Sequence, residues 1–158
     1  MMKLKVGVFS FTCCEGCVVS FLEILNKKYF DYEKKMQIEN FRALKSDKGI
    51  TNLDIAFVEG AISTESEIRK LKEIREKSKK LVALGMGAVN GYPSNQRNNF
   101  DSAKKKAIQP LIEKFNQIPL VSPLNKFVKV DDNIPGCPVD EKMLIKKIDG
   151  YLKNAQRF

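Results

Sequence analysis

Short, almost uninterrupted apolar runs constrain the fold of this chain more than any other feature. Residues 53–58 read LDIAFV, and residues 81–84 read LVAL. Strands that are buried on both faces have this composition, whereas strands with one face in water alternate apolar and polar residues. Because helical patterns separate these runs, we predict an α/β fold whose parallel sheet is covered by helices on both faces.

The other predicted elements continue this alternation, and the length of 158 residues suits a single domain spanning 1–158. Thr64 and Glu67 have the spacing of a capping box, which predicts that a helix begins there. Pro110 interrupts another helical pattern and predicts a break or a late start. These further elements are strands at 3–11 and 37–44, helices at 18–29, 64–80, 102–116 and 140–154, a polar loop at 90–99, irregular chain at 119–132 and a turn at 135–138.

The composition narrows the possible chemistry. The chain has no histidine, so the commonest general base and nitrogen ligand are absent, and chemistry must depend on cysteines, carboxylates or a cofactor. The net charge is +9, but the lysines mostly lie in helix patterns, which favours solvated faces or an acidic partner over nucleic acid. No apolar run is long enough for a membrane span or a signal peptide. We therefore expect a cytoplasmic protein.

All four cysteines carry information. Cys13, Cys14 and Cys17 follow the first predicted strand, and Cys137 lies in a Gly-Cys-Pro turn. In open α/β sheets, ligands bind beyond the carboxyl ends of the strands. The loops at 12–17, 59–63 and 85–91 are all predicted to lie at that edge, which indicates a single site.

The residue pattern alone leaves several interpretations of the cysteines open. They could be buried apolar side chains, although a polar, glycine-containing turn is an unusual place for such residues. Cys14 and Cys17 have the spacing and position of a thioredoxin-like redox pair. Alternatively, four thiolates could bind zinc or an iron–sulfur cluster. Glycines 85, 87 and 91 match neither dinucleotide nor Walker phosphate-binding spacing.

Four segments, taken in order, resemble a known family. They are CEGC at 14–17, DIAFVEGAI at 54–62, ALGMGAVNG at 83–91 and GCP at 136–138. With them the chain resembles the cluster-binding domain of nickel–iron hydrogenase small subunits and of the small iron–sulfur subunit of NADH:quinone oxidoreductase. The resemblance implies a flavodoxin-like three-layer sandwich, a proximal 4Fe–4S cluster and a large catalytic hydrogenase-like subunit docked over it. It also implies an electron-relay role, with a further redox subunit or ferredoxin-type carrier as the second partner.

The resemblance also assigns roles to individual residues. It implies that Cys14, Cys17 and Cys137 are cluster ligands, and that Glu15 and Glu59 lie beside the cluster and the subunit interface. A carboxylate that ends a buried strand, as Glu59 does, is costly unless it has a partner. Its alternative role is a helix cap or a salt-bridged loop residue.

The chain departs from the family pattern at three points. Gly87 occupies the position of a cysteine, Val139 stands where a second proline follows Gly-Cys-Pro, and the additional cysteine-rich region of longer small subunits is not found. Tandem cysteines ligate the cluster in the NADH:quinone oxidoreductase relative, so Cys13 is a candidate for the missing ligand. The alternative function is a structural adaptor that has lost its cluster.

Overall fold

The computed structural model describes residues 3–45 and 49–155. Five strands form one sheet in the order β2-β1-β3-β5-β7, and β4 pairs with β6 in a separate two-stranded sheet. The elements are β1 (Leu4–Ser10), α1 (Gly16–Lys27), α2 (Tyr29–Tyr32), β2 (Met36–Phe41), β3 (Leu53–Glu59), β4 (Ile62–Thr64), α3 (Glu65–Glu76), β5 (Ser78–Leu84), α4 (Gly85–Asn90), α5 (Ser102–Lys114), β6 (Gln117–Ser122), β7 (Asp132–Ile134) and α6 (Glu141–Lys153), with 3₁₀ turns at Ser94–Asn99 and Leu124–Lys126.

Every pairing within the five-stranded sheet is parallel, as the apolar runs predicted. Parallel pairing aligns the carboxyl ends of β1, β3, β5 and β7 along one edge. The predicted loops at 12–17, 59–63 and 85–91 follow β1, β3 and β5, so they lie at this edge.

Two hydrophobic cores lie on opposite faces of the sheet. Within β3, Ile55 and Phe57 belong to the core that contains α1 and α6. Ala56 and Val58 belong to the core on the other face, which contains α3 and α4. This alternation confirms the α/β three-layer architecture with a mostly parallel sheet, and it explains why β3 has almost no polar residue. The helix residues at the centres of these cores are Phe21, Ile24, Leu144 and Ile148 on one face and Leu71, Ile74 and Ala88 on the other.

Some local predictions were wrong. Pro110 lies within a continuous α5, where the unpaired carbonyl of the exposed residue Lys106 can bond to water. The helix predicted from Thr64 ends at Glu76, because Ser78–Leu84 joins the sheet. The glycine-rich segment after β5 forms the short helix α4 instead of a loop. Within the part of the chain that the structure describes, no helix is both long and apolar enough to cross a membrane.

Candidate cofactor site

The cysteines come from two separate parts of the chain and meet at the carboxyl edge of the sheet. Cys13, Cys14 and Cys17 lie in the turn after β1 and at the start of α1, whereas Cys137 follows β7. Although β1 and β7 are not neighbours in the sheet, the Cys17 sulfur and the carbonyl of Gly136, next to Cys137, both lie beside Gly85. Cys14 and Cys137 are exposed, and Cys17 is buried.

Backbone contacts between the loops hold Cys17 and the Cys137 turn together. The N–H of Met86 donates to the carbonyl of Gly136 at 2.9 Å. The backbone N–H of Val139 is near enough to the Cys17 thiol to lower its pKa, against the larger opposing effect of burial. Gly85 has a positive φ of 82°, and a Cβ at this position would lie only 2.5 Å from Cys17 Sγ. Position 85 therefore requires glycine, both for its backbone conformation and for the close approach of the thiol.

Cys14 lies beside the same turn. A Cβ at Gly16 would lie 3.4 Å from Cys14 Sγ and 3.8 Å from Pro138 Cβ. The residue adjacent to Cys137 is therefore close to the space around the Cys14 sulfur. Sequence analysis identified the glycine of the Cys14–Cys17 turn but not its contact with the second turn, more than a hundred residues away.

Glu59 places a buried carboxylate directly beneath the start of α1. Its two oxygens accept the backbone N–H groups of Cys17 at 3.2 Å and Val18 at 2.8 Å, and the residue is only 3% exposed. Burial raises the pKa of the Glu59 carboxyl, although the two N–H donors oppose this shift. The partner that a buried carboxylate requires is thus the helix itself.

Glu15 begins α1 with a left-handed backbone, φ 61°. Its side chain makes no cap hydrogen bond to the helix and instead accepts the hydroxyl of Ser10 at 2.8 Å. The first turn of α1 also contains no acidic residue. Glu59 consequently supplies the cap that the local sequence lacks.

A polar network that the sequence analysis missed ties the start of the cysteine turn to β4. Thr12 Oγ1 donates to Glu67 at 2.9 Å and lies 2.5 Å from the Ser63 hydroxyl. Thr12 and Ala61 also exchange two backbone hydrogen bonds, at 3.0 and 3.1 Å. The predicted capping box between Thr64 and Glu67 is confirmed, but no local signal indicated the additional contact with Thr12.

Gly87 packs backbone to backbone against the loop after β3. A Cβ at Gly87 would lie 3.2 Å from Gly60 Cα and 3.4 Å from Ala61 N. A Cβ at Gly60 would in turn lie 3.2 Å from Cys13 Cβ. Cys13 and Gly87 therefore both contact Gly60, and a larger residue at position 87 would force this loop to move.

In the isolated chain, the surroundings of Cys13 and Cys17 favour the neutral thiol over the thiolate. Burial, followed by the charge of Glu59, raises the pKa of Cys17 to about 12. Burial likewise raises the pKa of Cys13 to about 12. Nucleophilic cysteines need the opposite shift, whereas metal binding removes the thiol proton when the sulfur is coordinated.

Among residues 3–45 and 49–155, no three cysteine or carboxylate side chains point together closely enough to hold a metal ion. Coordination by these cysteines would therefore require their side chains to turn toward a common point. Cys14 and Cys137 are exposed, so they have room to do so.

A parallel α/β sandwich with cysteines from two loops at its carboxyl edge is the architecture of an oxidoreductase subunit family. The family model described as NADH ubiquinone oxidoreductase, 20 Kd subunit, matches residues 14–151. The chain belongs to this family, which confirms the resemblance to hydrogenase and NADH:quinone oxidoreductase small subunits.

Individual relatives agree with this assignment. The chain is 32% identical over 156 residues to sulfhydrogenase 2 subunit delta of Pyrococcus furiosus, covering 97% of this chain and 64% of the relative. It is 30% identical over 172 residues to NAD-reducing hydrogenase HoxS subunit delta of Cupriavidus necator, covering 99% and 81%. The chain thus spans less than two thirds of the first relative.

Solved structures support the same fold. A chain in the crystal structure of an NAD+-reducing NiFe hydrogenase in the H2-reduced state matches with a TM-score of 0.85 and 22% identity. The match covers 97% of this chain and 93% of that chain. At this level of identity the likeness concerns the fold alone.

Proposed function

We propose that this chain is the electron-transfer subunit of a hydrogenase-like oxidoreductase complex and holds a 4Fe–4S cluster beside a large catalytic subunit. The observation that carries the proposal is the convergence of the loops that hold Cys17 and Cys137: the Cys17 sulfur and the carbonyl of Gly136, next to Cys137, both lie beside Gly85. Membership of the family and similarity to hydrogenase subunits support the same role.

Cysteine thiolates are the ligands that a 4Fe–4S cluster requires, and this site offers cysteines. We assign Cys14, Cys17 and Cys137 as ligands, since iron–sulfur clusters are held by cysteine thiolates. Gly85 leaves room around the Cys17 sulfur, and the backbone N–H of Val139 is near that sulfur. N–H donors to ligand sulfurs stabilise the bound thiolate and tune the metal centre. When bound, the cluster would supply one-electron redox chemistry.

Cys13 is our candidate for the fourth ligand. Gly87 carries no side chain, and its backbone lies against Gly60. A Cβ on Gly60 would lie 3.2 Å from Cys13 Cβ, so Cys13 and Gly87 both lie beside this glycine. Together these contacts favour a ligand set of four cysteines.

The exposed edge suits a docked partner. Cys14 and Cys137 are exposed in this chain, whereas redox centres that transfer electrons between proteins are shielded by the surfaces that meet over them. A large hydrogenase-like subunit over this edge would exclude water from the thiols. Glu15, exposed within the cysteine turn, and the buried Glu59 beneath it would then lie beside the interface. A further redox subunit or ferredoxin-type carrier would complete the relay.

The test is to purify the complex anaerobically, measure iron and acid-labile sulfide, and record electron paramagnetic resonance after dithionite reduction. We expect the signal of a reduced 4Fe–4S cluster. Cys17→Ser and Cys137→Ser should abolish it, and Cys13→Ser should lose it or convert it to a three-iron signal. Glu23→Gln, at an exposed position of α1 outside the cysteine turn, should leave the signal unchanged. Absence of iron and sulfide from the wild-type complex would overturn the proposal.

A second candidate is a structural adaptor that assembles the complex without a cluster. The close contact between Gly87 and Gly60 favours it, because it closes the position where the family has a cysteine. The Cys14→Ser, Cys17→Ser double variant separates the two functions. An adaptor would assemble and support turnover unchanged, whereas a relay subunit would assemble and lose electron transfer.

A further inference from the structure

Helix α5 carries an apolar stripe that the described chain covers only in part, because Ile108 and Ile112 are half-buried whereas Leu111 and Phe115 are exposed. Ile108, Leu111, Ile112 and Phe115 follow one another at three- and four-residue spacing, which places them on one face. No side chain of this fully described helix is buried. Leu111 is 54% exposed and Phe115 is 59% exposed. We call these four residues the α5 patch.

Such a stripe is unusual for a helix of this length. Single exposed apolar residues are common on protein surfaces, but a helix of 13 residues owes most of its stability to packing its apolar face. α5 packs mainly against the short strand β6, where Leu120 is also exposed. The sequence pattern is that of a core-facing helix, whereas the surroundings are those of a surface helix.

The charges around the patch distinguish between possible occupants. Lys104, Lys105, Lys106 and Lys114 are all exposed on the same helix. A second copy docked through this face would bring two lysine-rich helices together, on chains that each carry a net charge of +9. A partner with carboxylates around an apolar groove would instead gain complementary charge and faster association.

We propose that the α5 patch docks into an apolar, carboxylate-rimmed groove on the large catalytic subunit. This inference rests on the proposed function, which supplies that partner, and adds the anchor by which it is held. The patch is connected to the cysteine edge by hydrogen-bonded backbone. β6 pairs with β4, and Ala61, just before β4, is bonded to Thr12 at the start of the cysteine turn. A partner held on α5 is thereby held in a defined position relative to the cysteines.

The experiment measures binding of this chain to the hydrogenase-like large subunit of the proposed complex, by biolayer interferometry at several salt concentrations. The Leu111→Asp, Phe115→Asp double variant should bind at least tenfold more weakly. Phe30→Asp on α2 is the matched control, since Phe30 is 78% exposed and lies outside the patch, and it should bind like wild type. Lys104→Glu, Lys105→Glu and Lys106→Glu together should lower the association rate and reduce its salt dependence.

Circular dichroism melting checks that the variants fold, and the milder Leu111→Ser, Phe115→Ser variant replaces the aspartates if they do not. Equal affinity of the patch variant and wild type would overturn this inference while leaving the proposed function intact. Failure of the wild-type chain to bind the large subunit would overturn both. Dimerisation of the isolated chain that the patch variant abolishes would assign the patch to a second copy and overturn the proposed occupant.

Discussion

The carboxylate of Glu59, at the end of β3, accepts the backbone N–H of Val18 at 2.8 Å from a position 41 residues away in sequence. With the adjacent bond from Cys17, this contact caps a helix that has no cap of its own. It also orients the helix start that carries Cys17. The cysteine turn is therefore shaped by a residue of the sheet.

We predict that Glu59→Gln destabilises the chain by about 1–3 kcal/mol, because the amide has one acceptor oxygen and buries an NH₂ group against two N–H donors. Hydrogen exchange should accelerate most at the amides of Cys17 and Val18. Glu23→Gln, an exposed position on the same helix, is the control and should change neither measurement. Unchanged exchange at the two amides would contradict the capping role.

Alanine at two helical glycines should have opposite effects on stability. Gly87→Ala should lower the melting temperature, because the new Cβ would lie 3.2 Å from Gly60 Cα and 3.4 Å from Ala61 N. Gly150→Ala on α6 meets nothing within 4 Å and should stabilise the chain by about 0.5–1 kcal/mol through helix propensity. Thermal and urea unfolding measure both. Equal stabilisation by the two substitutions would show that the Gly60–Gly87 contact is loose.

Alkylation of the reduced, metal-free chain should separate the cysteines by exposure. We expect iodoacetamide to modify Cys14 and Cys137 first, since both are exposed, and Cys17 last, since it is buried. Peptide mass spectrometry over a time course measures the order, and the Cys17→Ser variant verifies the assignment of the slow site. Fast modification of Cys17 would contradict the burial of this thiol.

We expect Asp131 to contribute to the loss of folding stability at low pH. Partial burial alone would raise its pKa, but hydrogen bonds from the Leu81 N–H at 2.8 Å and from Arg75 outweigh this effect and hold the pKa below the usual value. A lowered folded pKa contributes stability that is fully present above the ordinary Asp value of about 3.9 and is lost as pH falls through the folded value.

Asp131→Asn should therefore destabilise the chain at neutral pH, and its deficit relative to wild type should shrink below about pH 4. Urea unfolding from pH 7 to pH 2.5 measures the difference. Asp31→Asn, at an exposed site where no hydrogen bond or ion pair to the side chain is found among the described residues, should show little deficit at any pH. A deficit for Asp131→Asn that is independent of pH would contradict the ionic account.

The local sequence pattern predicted an element correctly where interactions between residues close in sequence determine its structure. The apolar run at 53–58 predicted a strand buried on both faces, and Thr64 with Glu67 predicted the start of α3. Pro110 shows the limit of this reasoning, because an exposed helix can continue past a lost hydrogen bond that water replaces.

The sequence by itself determined the parallel α/β architecture, the cysteines as the candidate chemistry and the sheet edge at which their loops lie, because these depend on composition and on periodicity along the chain. Only the tertiary structure decided three contacts. Glu59 caps α1, the absence of a side chain at Gly85 leaves room for the Cys17 sulfur, and the backbone of Gly87 packs against that of Gly60. These contacts join residues more than twenty positions apart, and no local pattern specifies which distant backbone a side chain will meet.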